Sequence, residues 1–449
     1  MTQANVVAAR PHAPGQTAFS VSNAYRYYVV AMLLVIASCN YADRYMLGVL
    51  FPLIKADLGL SDTQMGFISG AAFTLAYALV ALPIASLSDR FSRKKIITFA
   101  IVAWSIFTCL TSFVQNFYQL AIMRVLVGIG ESGSAPPSNS IISDYFAREE
   151  RTFPVSILAT GGSFGIFIGY LAGGALAESI GWRMTLVAFG VPGLLIAALF
   201  YITTREPPRG HADGLTTTPA APAMLAAIAS LWKIKTYRLM TLSGTLYGMS
   251  SVSLIIWLPS FFVRSHGMDV AEVGSWLAFT SGVPSLLGML TGGFIAQRLS
   301  KKNMRAPILM ASLALALSAP LFVAVLTISS AKTALVLYLL PAFLSVLQGA
   351  TLFATILAVS TVRTRAVGMA FSFFVINLGA GIVGPQLVGT TSDLLADWQG
   401  QESLRYALIG VTLVSKLGAA FLFFLSSRHI EKDIATSMAA SQASNDPAE

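Results

Sequence analysis

The chain has 449 residues, of which 55% are hydrophobic and only 11% charged, with a formal net charge of +9 and a mean hydropathy of +0.71. Those values exclude a soluble globule and describe a multi-pass membrane protein. They also exclude nucleic acid as the reason for the positive charge, because the basic residues are scattered over short loops such as RFSRKK and RLSKKNMR instead of forming a patch.

Residues 1–25 are polar and read as a cytoplasmic tail, with no cleavable signal expected before the first apolar run. Apolar runs long enough to span a bilayer then fall at about 26–52, 65–87, 96–114, 117–142, 153–177 and 183–203, and again at about 238–263, 271–297, 306–329, 332–360, 366–391 and 403–427. They predict an all-α membrane protein with twelve transmembrane helices. A Pro/Gly/Thr-rich stretch that turns weakly amphipathic up to Trp232 divides six helices from six. The expected organisation is an N-terminal bundle over 26–203, a cytoplasmic linker over 204–237, a C-terminal bundle over 238–427 and a cytoplasmic tail over 428–449. The halves echo each other, AIASLSDRFSRKK after helix 2 matching TGGFIAQRLSKKN after helix 8, so two pseudo-symmetric bundles enclosing a midplane site are expected.

With both termini inside, 21 of the 29 Lys and Arg residues fall on the cytoplasmic side, 5 outside and 3 (Arg44, Arg124, Lys416) within spans. This positive-inside bias fixes the expected orientation, in the inner membrane if the source is bacterial. Cys39 and Cys109 lie inside spans and read as packing residues. There is no phosphate-cradling glycine loop followed by Lys and Ser/Thr, and no His/Cys cluster. ATP-driven pumping, a metal, a cofactor and enzymatic catalysis are therefore not expected.

Charges inside spans carry the functional signal. Asp43 and Arg44 sit in helix 1, and Arg124 and Glu131 lie seven residues, about 10 Å, apart along helix 4. An ionised group near the bilayer centre costs at least roughly 2.5 kcal/mol, so each should face a polar cavity and a partner. A structural ion network joining helices 1 and 4 is the alternative to a transport pathway. In the transport reading Asp43 and Glu131 take and release protons, while Arg44 and Arg124 hold an anionic substrate or, in its absence, the carboxylates. Protonating a Glu131 paired with Arg124 would free that guanidinium. Tyr41 in helix 1, Tyr247 and Trp257 in helix 7, Gln348 in helix 10 and Asn377 in helix 11 are the expected remaining walls of the site. Charge on one wall and an apolar surface opposite suit an amphipathic anion. Lys416, midway along helix 12, has no assigned role.

SLSDRFSRKK resembles the loop signature of the major facilitator superfamily, matched at Leu87, Asp89, Arg90, Arg93 and Lys94, with Ala85 and Ser92 where that family has glycine. Arg124 followed by Gly128 and Gly130 is similar to its helix-4 pattern. The glycines at 161, 165, 169 and 173 partly match an antiporter-type helix 5, although Tyr170 replaces its proline. The resemblance implies a secondary transporter with Asp89, Arg90, Arg93 and Asp144 in a cytoplasmic gate, Asp89 facing the start of helix 11 and Arg93 reaching Asp144. Within the superfamily, NYADR, SDTQMGFISGAAFTLAYAL and GIGESGSAPPSNSIISDYF resemble the Spinster family of lipid transporters. That implies proton-coupled movement of a lysophospholipid or sphingoid phosphate. Proton-coupled sugar-acid and organic-anion symporters share the charged motifs and form the alternative reading; a non-transporting membrane sensor is a third. The expected partners are the anion, protons and membrane lipid, with no nucleic acid, and the protein is expected to be a monomer.

Overall fold

The computed structural model describes residues 21–88, 90–147, 150–209, 224–361 and 364–443, and among them the regular structure is entirely helical. Eight helical stretches are long and apolar enough to cross a bilayer, and two of these, Phe153–Thr203 and Val367–Ser427, carry two spans each. The charge-bearing helix Asn23–Leu58 and the broken pair Phe117–Glu131 and Ala135–Tyr145 complete the expected twelve. Numbered in chain order, span 1 is Asn23–Leu58, span 2 Asp62–Ser88, span 3 Arg93–Thr111 and span 4 the broken pair. Spans 5 and 6 share Gly161–Thr203, while spans 7, 8 and 9 are Lys235–His266, Val270–Ser300 and Arg305–Thr327. Span 10 is Ala331–Ala358, span 11 runs from Arg365 to Gln399 and span 12 is Ser403–Ser427. A helix satisfies its own backbone hydrogen bonds, which is why apolar segments in a bilayer take this form.

Local chemistry sets the boundaries. Span 1 starts where the Ser22 side chain accepts the Tyr25 N–H and stops at Gly59, whose φ of 63° suits a residue without Cβ. Span 2 opens on a capping box between Ser61 and Gln64. Spans 5 and 6 separate at Gly181, where φ is 77°. Span 4 is broken over residues 132–134, after which Pro136 and Pro137 occupy the opening turn of Ala135–Tyr145, where a missing N–H breaks no helical bond.

Glycines let the spans approach closely. A Cβ on Gly165 would lie 2.3 Å from the Tyr41 Cβ and one on Gly169 2.7 Å from the Ala42 carbonyl oxygen, so span 5 lies directly on span 1. Spans 2 and 11 meet through paired π-helical turns, Ile68–Ala72 and Gly379–Val383; a Cβ on Gly70 would stand 2.7 Å from the Gly381 carbonyl oxygen.

The apolar core shows how the halves sit. One large cluster, containing Phe51, Ile54, Trp257 and Phe261, crosses between the halves on the side away from the linker. On the linker side each half has its own cluster, one around Trp104 and Phe146 and the other around Tyr237 and Phe423. The molecule is thus sealed on the far side and parted on the linker side.

Candidate functional site

Between the parted halves lies a cavity of about 660 Å³, lined among others by Asn40, Tyr41, Arg44, Asn139, Phe373 and Asn377. A smaller chamber of about 250 Å³ continues toward the far side and shares Tyr41, Arg44, Tyr77 and Asn377 with it. Its deeper wall is largely apolar, with Leu47, Phe51, Val252, Ile255 and Ile256.

Helical geometry distributes the span 1 motif. Asn40, Asp43 and Arg44 follow i, i+3, i+4 spacing, yet consecutive residues differ by about 100° around the axis. Asp43 turns into the N-terminal bundle, where the Thr108 hydroxyl of span 3 donates to it at 3.3 Å. Arg44 turns to the cavity, its Nε donating to Glu131 at 2.7 Å and its Nη2 to the Asn40 Oδ1 at 3.2 Å. Three rings flank its guanidinium, Phe73 at 4.7 Å, Tyr77 at 5.0 Å and Tyr41 at 5.5 Å. Glu131 is 0% exposed, and its second oxygen has no hydrogen-bond partner among the described residues.

The expected Arg124–Glu131 pair does not form. The two lie nearly two turns apart on one helix, and Arg44 from span 1 reaches Glu131 at its own level. Arg124 consequently makes no hydrogen bond or ion pair among the described residues, although it is only 6% exposed. It lies 5.0 Å from the Phe73 ring and lines the inner chamber. A buried, uncommitted guanidinium facing a mostly apolar chamber has the charge and donors to receive an anionic group.

The other expected wall residues separate. Asn377 lines both cavities; its Nδ2 donates to the Phe373 carbonyl. Tyr41 also lines both. Trp257 does not. It is fully buried in the far-side seal, edge-on to Phe51 at 5.7 Å, and its indole N–H donates to the Pro385 carbonyl at 3.2 Å. Tyr247 and buried Gln348 likewise lie behind the cavity wall, in the interior of the C-terminal bundle. Lys416 lies there too, donating to the Ser345 hydroxyl at 2.6 Å.

On the linker side Arg93 pairs with Asp144, as expected, and also donates to the Ser140 hydroxyl and the Pro207 carbonyl. Glu206, which the sequence reading missed, accepts from the Ser92 hydroxyl and from the Arg93 N–H at 2.7 Å. Burial raises the pKa of its carboxyl, but the Ser92 hydroxyl and the Arg93 N–H and guanidinium outweigh that and hold it below its ordinary value. This network ties the start of the linker to spans 3 and 4 within one half. Arg90 is exposed, and Asp89 lies outside the described residues.

The far side holds a centre that the sequence reading also missed. Asp62 accepts from both Nη atoms of Arg264, at 2.7 and 2.5 Å, from Lys55 at 2.5 Å and from the Ser392 hydroxyl at 2.7 Å. Asp393 in turn accepts the backbone N–H groups of Asp62 and Thr63. The S-D-T-Q capping box marked this helix start in the sequence. Its partners in the other half left no local signal.

The model of the Major Facilitator Superfamily matches residues 33–385. The chain belongs to that superfamily. Its members are transporters, and this one is a multi-pass membrane protein of the same fold. It is 30% identical over 410 residues to an MFS-type efflux pump of Mycolicibacterium smegmatis, covering 90% of this chain and 93% of that one. It is 28% identical to protein spinster homolog 1 of Xenopus laevis, covering 90% and 81%. A hexuronate transporter of Bacillus subtilis is 27% identical, with 83% and 89% covered. Among solved structures it is similar to a bacterial homolog of the human lysosomal transporter Spinster in an inward-facing, unoccupied conformation, with a TM-score of 0.84, 27% identity and 92% and 99% of the two chains covered. The Spinster resemblance read from the N-terminal motifs thus extends over nearly the whole chain.

Proposed function

We propose that this transporter moves an amphipathic anion, of the lysophospholipid or sphingoid phosphate class, by proton-coupled alternating access, acting as a monomer with the linker side cytoplasmic. The observation that carries the proposal is Arg124, buried and uncommitted in the wall of a mostly apolar chamber. The anionic head binds Arg124 and the exposed part of Arg44, and the apolar part lies against Leu47, Phe51 and Ile256. Tyr41 and Asn377 flank the entry. Coupling is competition for Arg44: ionised Glu131 holds it, and protonated Glu131 releases it to the substrate. Asp43, one helical step away, is the second proton carrier. The bound anion then shifts the equilibrium between linker-side-open and far-side-open forms through its different affinity for each. When the far side opens, the spans on the linker side close, with Asp89, Arg90, Arg93 and Asp144 at that gate.

The same charges suit a sugar-acid symporter, and the likeness to the hexuronate transporter supports that second reading. Proteoliposomes with an imposed pH gradient separate them: concentrative uptake of a lysophosphatidate without uptake of hexuronate is expected, and the reverse would replace the first reading by the second.

A further inference from the structure

The C-terminal half contains one buried ionisable cation among the described residues, Lys416, and no carboxylate lies within ion-pair distance of it. It is 1% exposed. From span 12 its ammonium reaches three other spans: it donates to Ser345 of span 10 at 2.6 Å, and lies 4.3 Å from the Phe322 ring of span 9 and 5.6 Å from the Tyr247 ring of span 7. Ring faces turned toward Nζ are the environment of a charged ammonium. Only one of its three donors has a hydroxyl partner, while Gln348 Oε1, three residues on from Ser345, stays buried and unpaired. Packing does not explain such a residue, because an apolar chain of the same length would fill the site without desolvating a charge.

Charge balance suggests what it does. At the level of the cavity the N-terminal half contributes two carboxylates, Asp43 and Glu131, and two guanidiniums, Arg44 and Arg124. With both carboxylates ionised these cancel, and a charged Lys416 then adds one net positive charge, its ammonium 5.6 Å from the ring of Tyr247, whose neighbour in sequence, Gly248, packs against Ala380 of the chamber wall. We infer that Lys416 is a specificity-determining residue: it selects anionic over neutral substrates through the field it sets in the chamber, without touching them. This rests on the proposed anion site. A unit charge acting over roughly 10 Å of protein interior changes the affinity of an anion by on the order of tenfold.

The test compares 1-lauroyl lysophosphatidate with 1-lauroyl monoacylglycerol, which share a tail and differ in headgroup charge, by binding to purified full-length protein. In K416M the preference for the phosphate is expected to fall about tenfold, with monoacylglycerol affinity unchanged and Tm at or above that of the wild type, since a buried unpaired charge has been removed. K416Q, which can still hydrogen-bond Ser345, is expected to lose the preference equally, and carries the test should K416M not fold. A preference retained in both variants, equal loss of both ligands, or a lowered Tm would overturn the inference. A wild-type protein with no preference for the phosphate would overturn the anion site itself, and the role of Lys416 with it.

Discussion

Asp62 and Arg264 clasp the two halves together through a two-pronged ion pair, the guanidinium nitrogens 2.7 and 2.5 Å from the carboxylate oxygens. Lys55 and Ser392 complete the carboxylate's shell, so every approach to Asp62 is taken on the sealed side of the molecule. Alternating access requires this clasp to part.

Removing one side should bias the protein toward the far-side-open form. In R264Q, Asp62 keeps Lys55 and the Ser392 hydroxyl but loses its ion pair to the other half, and the closed form is expected to lose on the order of 2–3 kcal/mol. Spin labels on the far-side ends of spans 1 and 7 should report a longer distance in R264Q than in the wild type; unchanged distances would show that the apolar seal and the Ser392 and Asp393 hydrogen bonds hold that side without the ion pair.

Arg124→Lys keeps the charge and loses the planar fork. Affinity for an anionic substrate should fall about tenfold, and Arg124→Ala should fall further. Titration of both variants checks this. A lysine variant that binds like the wild type would mean that charge alone matters.

Glu131→Gln mimics the protonated carboxyl and leaves Arg44 permanently released. Exchange of substrate down its gradient should persist, while uphill accumulation driven by a pH gradient should disappear, measured as counterflow and as net uptake in the same vesicles. Wild-type accumulation in this variant would remove Glu131 from the coupling scheme.

Glu206 predicts a pH effect outside the membrane. Its folded pKa lies below the ordinary 4.5, so its tie to Ser92 and Arg93 contributes stability in full above about that pH. The contribution is lost as pH falls through the depressed value. Protease cleavage in the linker, measured with an acid-active protease, should rise across that interval in the wild type. In E206Q it should be high and flat throughout.

Much of this was legible in the sequence, and the limits have physical causes. Span number and the Arg93–Asp144 pair follow from hydropathy and a loop motif. The partner of Glu131 was not legible, because it depends on how span 1 is rotated against span 4, which is set by contacts such as Gly130 on Trp104 and Gly165 on Tyr41. Trp257, Tyr247 and Gln348 were misjudged as cavity walls for a related reason: in helices that are apolar on several faces, periodicity does not separate the face toward a cavity from the face toward a neighbouring helix. Asp62 was invisible because Arg264 and Asp393 are distant in sequence, 202 and 331 residues away.

The central claim, an anionic head on Arg124 with an apolar body in the inner chamber, is tested most directly by a chain-length series. Displacement by lysophosphatidates of increasing acyl length, set beside a pair of hexonate epimers in matched detergent, separates the two substrate classes. The account predicts affinity rising by up to about 0.8 kcal/mol per buried methylene until the chamber is full, with no discrimination between the epimers. Affinity independent of chain length, together with clear discrimination between the epimers, would contradict it and make the sugar-acid symporter the correct reading.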